Sequence, residues 1–162
     1  MYISRVPVSI RRPSPKRRFA LALGLALSIC AADAQAIFIV NQPWLRPAAQ
    51  GRSTEAYMDL TSTEGATLVA VRSEIASVAI RTKSGTSVVD RLPLAANTML
   101  KLAPNGVRLS LTKLARPLVR GEHVTLTLTV ESADGSRQDI PVTAEVRLRS
   151  PLDDERRAHG AH

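Results

Sequence analysis

Two turns, each followed by a regular alternation of apolar and polar residues, constrain this chain more than any other feature. Proline fixes φ, and Asn and Gly tolerate the positive φ of a tight reversal, so Pro104–Gly106 predicts a turn. Val107–Thr112 then alternates with period 2, and after a second turn region at Pro117–Gly121 the run Val124–Val130 alternates more regularly still. This pattern is typical of half-buried strands. The sequence therefore predicts two strands, each with one apolar and one polar face.

The rest of the chain after residue 36 repeats this pattern of short strands and turns. Two prolines, Pro43 and Pro47, restrict the segment 41–47 to an edge strand or a loop. With about seven to nine short strands, turns every 8–12 residues or so and no amphipathic helix, residues 37–149 are predicted to form an all-β domain, a Greek-key β-sandwich or barrel. The charged segment 150–162 is predicted to be a disordered tail.

The first 36 residues have the features of a secretory signal peptide. Residues 1–18 carry six basic residues and no acidic one, and Phe19–Ile29 is apolar but too short to span a bilayer. Small residues at Ala34 and Ala36 offer cleavage sites. We therefore predict a periplasmic or secreted protein with no stable membrane span after cleavage at Ala34 or Ala36. An uncleaved membrane anchor is the alternative.

Removal of this segment changes the charge and cysteine content. Six of the 22 Lys and Arg and one of the 14 Asp and Glu lie within residues 1–36, so the remainder carries 16 basic and 13 acidic residues, a net +3 rather than +8. This modest charge and only three aromatic residues argue against nucleic-acid binding. The sole cysteine, Cys30, is removed as well, so the mature chain has no disulfide and no thiolate ligand. A lipoprotein cut before Cys30 is not favoured, because Ile29 stands where a small residue is needed.

The order and spacing of several motifs point to a known family. They are Trp44-x-Arg46, the run Ala56–Thr61 (Ala-Tyr-Met-x-Leu-Thr), the segment Leu102–Gly121 with its Pro-Asn-Gly turn, and Val124–Leu128. On these residues the chain resembles the periplasmic copper chaperones of the PCuAC family. The resemblance implies a cupredoxin-like β-sandwich, for which an immunoglobulin-like sandwich is the alternative. It also implies a protein that is not an enzyme and that carries Cu(I) to the dinuclear copper centre of cytochrome oxidase.

The metal-ligand positions implied by the resemblance are substituted in this chain. The family holds Cu(I) with a His, a later Met and a His-x-Met pair, which are soft ligands suited to a soft cation. Here the first His aligns with Arg81, the His-x-Met pair aligns with Arg108 and Ser110, and the lone Met falls near Val88 and Val89. Arginine has no lone pair to give, and a serine hydroxyl is a hard, weak ligand. No metal site is therefore predicted at these positions, and Cu(I) is implied by the family alone.

Other Met and His residues offer weak alternative ligands. Met58 and Met99 are expected to pack in the core, where Met is a common gap-filler. His123 is expected to be an exposed residue of a turn. His159 and His162 would hold a metal only loosely from a flexible tail.

The two arginines at the substituted positions suggest another use of the same surface. Arg81 and Arg108 would repel each other unless a carboxylate lies between them, and Asp90 or Glu74 is expected in that role. Alternatively, the pair binds an anion or a peptide carboxylate in the forked geometry that arginine favours. Two functions follow: a copper-chaperone-like protein with a substituted site, whose client belongs to cytochrome oxidase copper-site assembly, or a metal-free periplasmic interaction module or subunit chaperone.

Overall fold

The alternation seen in the sequence forms a single mixed β-sheet of ten strands. The computed structural model describes residues 36–82 and 87–159, so the predicted signal peptide, apart from Ala36, lies outside the described residues. The strands are β1 Phe38–Leu45, β2 Thr54–Ser62, β3 Ala66–Arg72, β4 Ser77–Arg81, β5 Val88–Val89, β6 Leu92–Leu94, β7 Leu100–Leu102, β8 Arg108–Thr112, β9 His123–Glu131 and β10 Arg137–Val146.

The strands follow the order β5-β4-β8-β2-β1-β10-β9-β3-β6, and β7 pairs with β2 beside this path. Neighbouring strands are antiparallel except β1 and β10, which are parallel. The sheet curls into a nearly closed barrel. The all-β prediction and the cupredoxin-like barrel are therefore confirmed.

The core lies on the inner side of this curled sheet. In β8, Leu109 and Leu111 are fully buried whereas Arg108 and Ser110 are partly exposed, and in β9 every second residue from Val124 onward is buried. The two strands predicted from alternation thus have the expected faces. The large, fully buried side chains that fill the core include Leu45, Met58, Leu60, Leu68, Leu102, Leu109, Leu111, Leu114, Leu118, Leu126 and Leu128.

The prediction that residues 41–47 form an edge strand or a loop is wrong for most of that segment. Strand β1 continues to Leu45 and lies inside the sheet between β2 and β10. A bulge makes this compatible with Pro43, because the pairing with β2 jumps from Asn41 to Trp44, and Gln42 takes a positive φ of 48°. The proline therefore falls where no ladder hydrogen bond is required of it.

The prediction of a disordered tail is wrong for Pro151–His159, which form a helix, α1. The carbonyl of Ser150 accepts the amides of Asp153 and Asp154 at 3.0 and 3.3 Å, and proline occupies the first helical position. Acidic residues in the first turn and basic residues in the last complement the helix dipole. No helix within residues 36–82 and 87–159 is long and apolar enough to cross a bilayer.

Candidate functional site

Strand register brings onto one face of the sheet four positions that the family resemblance aligns with, or near, copper ligands. Arg81 of β4 lies directly opposite Arg108 of β8, and on its other side it lies opposite Val88 of β5. Side chains of directly opposite residues share a face, with Cβ atoms about 4.5–5.5 Å apart. Ser110 lies two residues along β8 and therefore points to the same side. We call these four residues, Arg81, Val88, Arg108 and Ser110, the substituted face.

A carboxylate of the protein itself, from strand β2, borders the substituted face. Strand β2 pairs with β8 so that Glu55 lies opposite Ser110. The Nε of Arg108 donates to Glu55 Oε1 at 2.7 Å, and its Nη1 donates to the carbonyls of Thr82 and Gly106, both at 3.3 Å. The Arg108 side chain is only 15% exposed, so the guanidinium is held in place rather than extended into solvent.

The identity of this carboxylate differs from the expectation for Arg108. The sequence suggested Asp90 or Glu74 as the compensating acid, whereas Glu55 is the residue that pairs with Arg108. Glu55 is separated from Arg108 by 53 positions along the chain. The two residues are neighbours because of the β2–β8 register, and this register cannot be predicted from any local sequence pattern.

Aromatic residues extend the network from Glu55 along β2 and β1. The hydroxyl of Tyr57 donates to Glu55 Oε2 at 2.5 Å, so both carboxylate oxygens are engaged. The ring of Tyr57 packs against Trp44, with centroids 4.6 Å apart, and the guanidinium of Arg46 lies 5.8 Å from the centre of the Tyr57 ring. Burial raises the pKa of the Tyr57 hydroxyl far above its usual range, and the hydrogen bond to the Glu55 carboxylate raises it further.

This raised pKa gives a test of the network. The only other tyrosine, Tyr2, lies in the predicted signal peptide, so ultraviolet absorbance of the chain from residue 37 reports Tyr57 alone. Because the fold favours the neutral phenol, the contribution of Tyr57 to stability should be fully present below the unfolded-state pKa of about 10 and be lost as pH rises above it. We expect no tyrosinate in the folded protein when a guanidinium-unfolded sample is already titrating. Coincident titration of the two samples would contradict the buried Tyr57–Glu55 bond.

The alternative ligands predicted from sequence are not brought together. Met58 is 2% exposed in the core, as expected, but Met99 is 58% exposed, so the expectation that it packs in the core is wrong. His123 is exposed, as expected, although it begins β9 rather than lying in a turn. His159 lies in α1 with Nδ1 2.8 Å from the Glu155 carbonyl, and His162 lies outside the described residues. Within the described ranges, no cluster of three or more His, Cys, Asp or Glu residues could hold a metal.

The side chains of the substituted face do not fit Cu(I) as a cargo. The guanidinium groups of Arg81 and Arg108 offer donors without a lone pair, and Val88 offers no ligand atom. Glu55 supplies hard oxygen atoms, and both are already hydrogen-bonded. A soft cation such as Cu(I) favours thioether or imidazole instead. The chemistry of this face is that of hydrogen-bond donation to oxygen atoms.

A shallow cleft of about 310 Å³ adjoins the substituted face. Its walls are formed where the end of β1, the start of β2 and the middle of β8 meet. The lining residues are Arg46, Pro47, Ser53, Thr54, Glu55 and Ser110.

The curled barrel and the register of its strands define a cupredoxin-like domain. Comparison with protein families is more specific: the LpqE-like family, described as lipoproteins, matches residues 39–144. The chain belongs to this PCuAC-related family. None of the curated proteins searched matches the chain.

Solved structures of copper-binding domains share the fold. The Cu(I)-bound form of DR1885 from Deinococcus radiodurans is 32% identical, with 72% of this chain and 83% of that chain covered and a TM-score of 0.55. The copper-bound PCuAC domain from PmoF2 is 22% identical, with 69% and 93% covered and a TM-score of 0.59. The apo PCuAC domain from PmoF1 is 24% identical, with 69% and 94% covered and a TM-score of 0.60. The two PCuAC domains show a shared fold, whereas the family match and the likeness to DR1885 support a copper-chaperone-like role.

Proposed function

We propose that the protein is exported and takes part in copper delivery or cytochrome oxidase assembly through protein contacts, without carrying Cu(I) on the substituted face. The observation that carries this proposal is the Arg108 guanidinium, which is bonded to Glu55 at 2.7 Å and lies at a position that the resemblance aligns with a copper ligand. A copper ion there would meet positive charge and no soft ligand atom. The scaffold of a copper chaperone is retained while its metal chemistry is replaced.

Two further observations support export and a non-enzymatic role. The LpqE-like family is described as lipoproteins, and lipoproteins are exported. The basic residues 1–18 and the short apolar segment Phe19–Ile29 of this chain have the pattern of an export signal. The structures of DR1885 and of the PmoF2 domain contain copper. The proposed role in copper delivery is of the same kind and involves no catalysis.

Competitive titration with Cu(I) chelators tests the metal part of this proposal. We expect the chain from residue 37 to bind Cu(I) no more tightly than roughly micromolar, about −8 kcal/mol, because no soft ligand pair converges on the substituted face. DR1885 from Deinococcus radiodurans serves as the positive control, since it was solved with Cu(I). Binding of Cu(I) by this chain that is clearly tighter than micromolar would contradict the proposal.

Affinity capture from a periplasmic extract tests the interaction part. The wild-type chain and the Arg81→Ala/Arg108→Ala variant are compared as baits, and captured proteins are identified by mass spectrometry. Loss of a copper-site or oxidase-assembly partner in the variant supports the proposal. If both baits capture the same partners, Arg81 and Arg108 are not needed for partner binding, and the interaction part of the proposal is wrong.

One observation favours a second candidate, a subunit chaperone that pairs an edge strand with its client. Strand β5 covers only Ile80 and Arg81 of β4, so in the part of the chain that the structure describes Ser77–Ala79 have no strand partner on the side away from β8. A cleft of about 230 Å³ lies along this edge, lined mainly by apolar residues such as Val69, Val78 and Val88. An exposed edge of this kind can accept an extended peptide. Capture of an unassembled subunit, rather than a copper protein, would favour this candidate.

A further inference from the structure

We infer that the cleft beside the substituted face binds carboxylate groups of an acidic peptide segment in a partner protein, through Arg46, Ser53 and Ser110. The inference rests on the proposed function in one respect, namely that the partner is a protein. It specifies a different set of residues from the Arg81–Arg108 pair and the chemistry that they recognise.

The cleft presents hydrogen-bond donors that the protein itself does not use. Arg46 is exposed, and its guanidinium makes no hydrogen bond or ion pair to any described residue; its contact is with the face of the Tyr57 ring. The hydroxyls of Ser53 and Ser110 likewise have no hydrogen-bond partner among the described residues. In contrast, the Thr54 hydroxyl donates to the Arg46 carbonyl at 2.6 Å, which ties together the two strands that form the cleft wall.

The one acidic residue of the cleft does not oppose an anionic ligand. Both oxygens of Glu55 accept hydrogen bonds, from Arg108 at 2.7 Å and from Tyr57 at 2.5 Å. Its charge is therefore compensated by Arg108 within the protein. Arg46 and Arg108 against Glu55 leave a local formal charge of about +1, which favours an anionic partner.

The arrangement favours a peptide carboxylate over a free inorganic anion. Arg46 is held against the Tyr57 ring, so its planar fork is pre-oriented for a bidentate contact with a carboxylate. The cleft is open and, at about 310 Å³, has room for a side chain together with the peptide that bears it. A small free oxyanion would have no contact with most of this surface.

Fluorescence anisotropy with a labelled peptide of alternating Glu and Ser tests the inference on the chain from residue 37. We expect Arg46→Gln to raise the Kd about tenfold, since a charge-assisted bidentate contact is lost. Ser110→Ala should also raise it, by up to about tenfold, because one hydrogen bond from a hydroxyl to a carboxylate is lost. The same peptide with Gln in place of Glu should bind at least about tenfold more weakly than the Glu peptide.

Arg137→Gln provides the matched control. Arg137 is an exposed arginine of β10. Glu145 of the same strand lies beside Trp44 of β1, near the cleft. Arg137 lies eight residues from Glu145, about 26 Å along the strand at 3.3 Å per residue, and is therefore distant from the cleft. Its loss should change the Kd less than about twofold through long-range charge alone.

Equal losses for Arg46→Gln and Arg137→Gln, no preference for Glu over Gln, or no binding by the wild-type chain would each overturn the inference. Full displacement of the peptide by equimolar inorganic phosphate would overturn it in favour of a free-oxyanion site. None of these results alters the Cu(I) titration, so failure here is distinguishable from failure of the proposed function.

Discussion

Substituting Arg81 and Arg108 by His, and Val88 and Ser110 by Met, should create Cu(I) binding at least about a thousandfold tighter than that of the natural chain, or about 4 kcal/mol. The physical reason is the register of β5, β4 and β8, which aligns Val88, Arg81 and Arg108 across neighbouring strands. Imidazole and thioether groups at these positions would replace charged donors by soft ligand atoms. The expected result is a gain of function from four side chains on an unchanged fold.

Competition with Cu(I) chelators measures this gain, and X-ray absorption reports whether sulfur enters the copper coordination. The matched control carries the same substitutions at Arg81, Val88 and Arg108 but Ser110→Leu instead of Ser110→Met, which keeps the size of the side chain and removes its sulfur. We expect this control to lose a large part of the gain. Circular dichroism would show whether the variant with four substitutions folds. If it folds but binds Cu(I) no better than the natural chain, the four positions do not converge as the strand pairing requires.

Much of the fold could be predicted from the sequence because it depends on local patterns. Alternation in Val107–Thr112 and Val124–Val130 identified the strands whose apolar residues form the core. Turn chemistry at Pro104–Gly106 marked where β8 begins. The family resemblance then aligned Arg81 and Arg108 with ligands of one metal site, which gave the expectation that the two residues lie close together.

The features that the sequence did not reveal depend on pairing between distant segments. Glu55 became part of the site through its register with Ser110, and Tyr57 through a hydrogen bond to Glu55. The bulge in β1 allowed an interior strand to contain Pro43, against the usual rule for prolines in sheets.

The helix α1 was missed for a different reason, since its signals are local. The Ser150-Pro151 start and the acidic first turn are ordinary helix-start signals, but the high charge of the segment was interpreted as disorder. Met99 was assigned to the core because of its apolar neighbours, although only Leu102 of the adjacent strand β7 is fully buried.

Leu109→Ala should lower the free energy of unfolding by about 2–5 kcal/mol, the largest effect expected of a single substitution near the site. Leu109 is fully buried in the core, and truncation would leave a cavity that the surrounding strands can only partly fill. For a domain of this size the midpoint of thermal unfolding should fall by roughly 10–20 °C. Chemical denaturation of the chain from residue 37 gives the measurement, and Leu109→Val offers a milder variant if the alanine protein does not fold.

The two neighbours of Leu109 provide the controls, because three consecutive residues of one strand should respond in three different ways. Arg108→Ala leaves the carboxylate of Glu55 with Tyr57 as its remaining partner and should cost about 1–3 kcal/mol. Ser110→Ala removes a hydroxyl with no partner in the described structure and should change stability by less than about 0.5 kcal/mol.

A one-residue slip of β8 would exchange its two faces, so that position 110 would face the core and position 109 would face solvent. If Leu109→Ala proved no more costly than Ser110→Ala, the register that places Arg108 and Ser110 on the substituted face would be wrong, and with it the basis for both the copper and the carboxylate proposals.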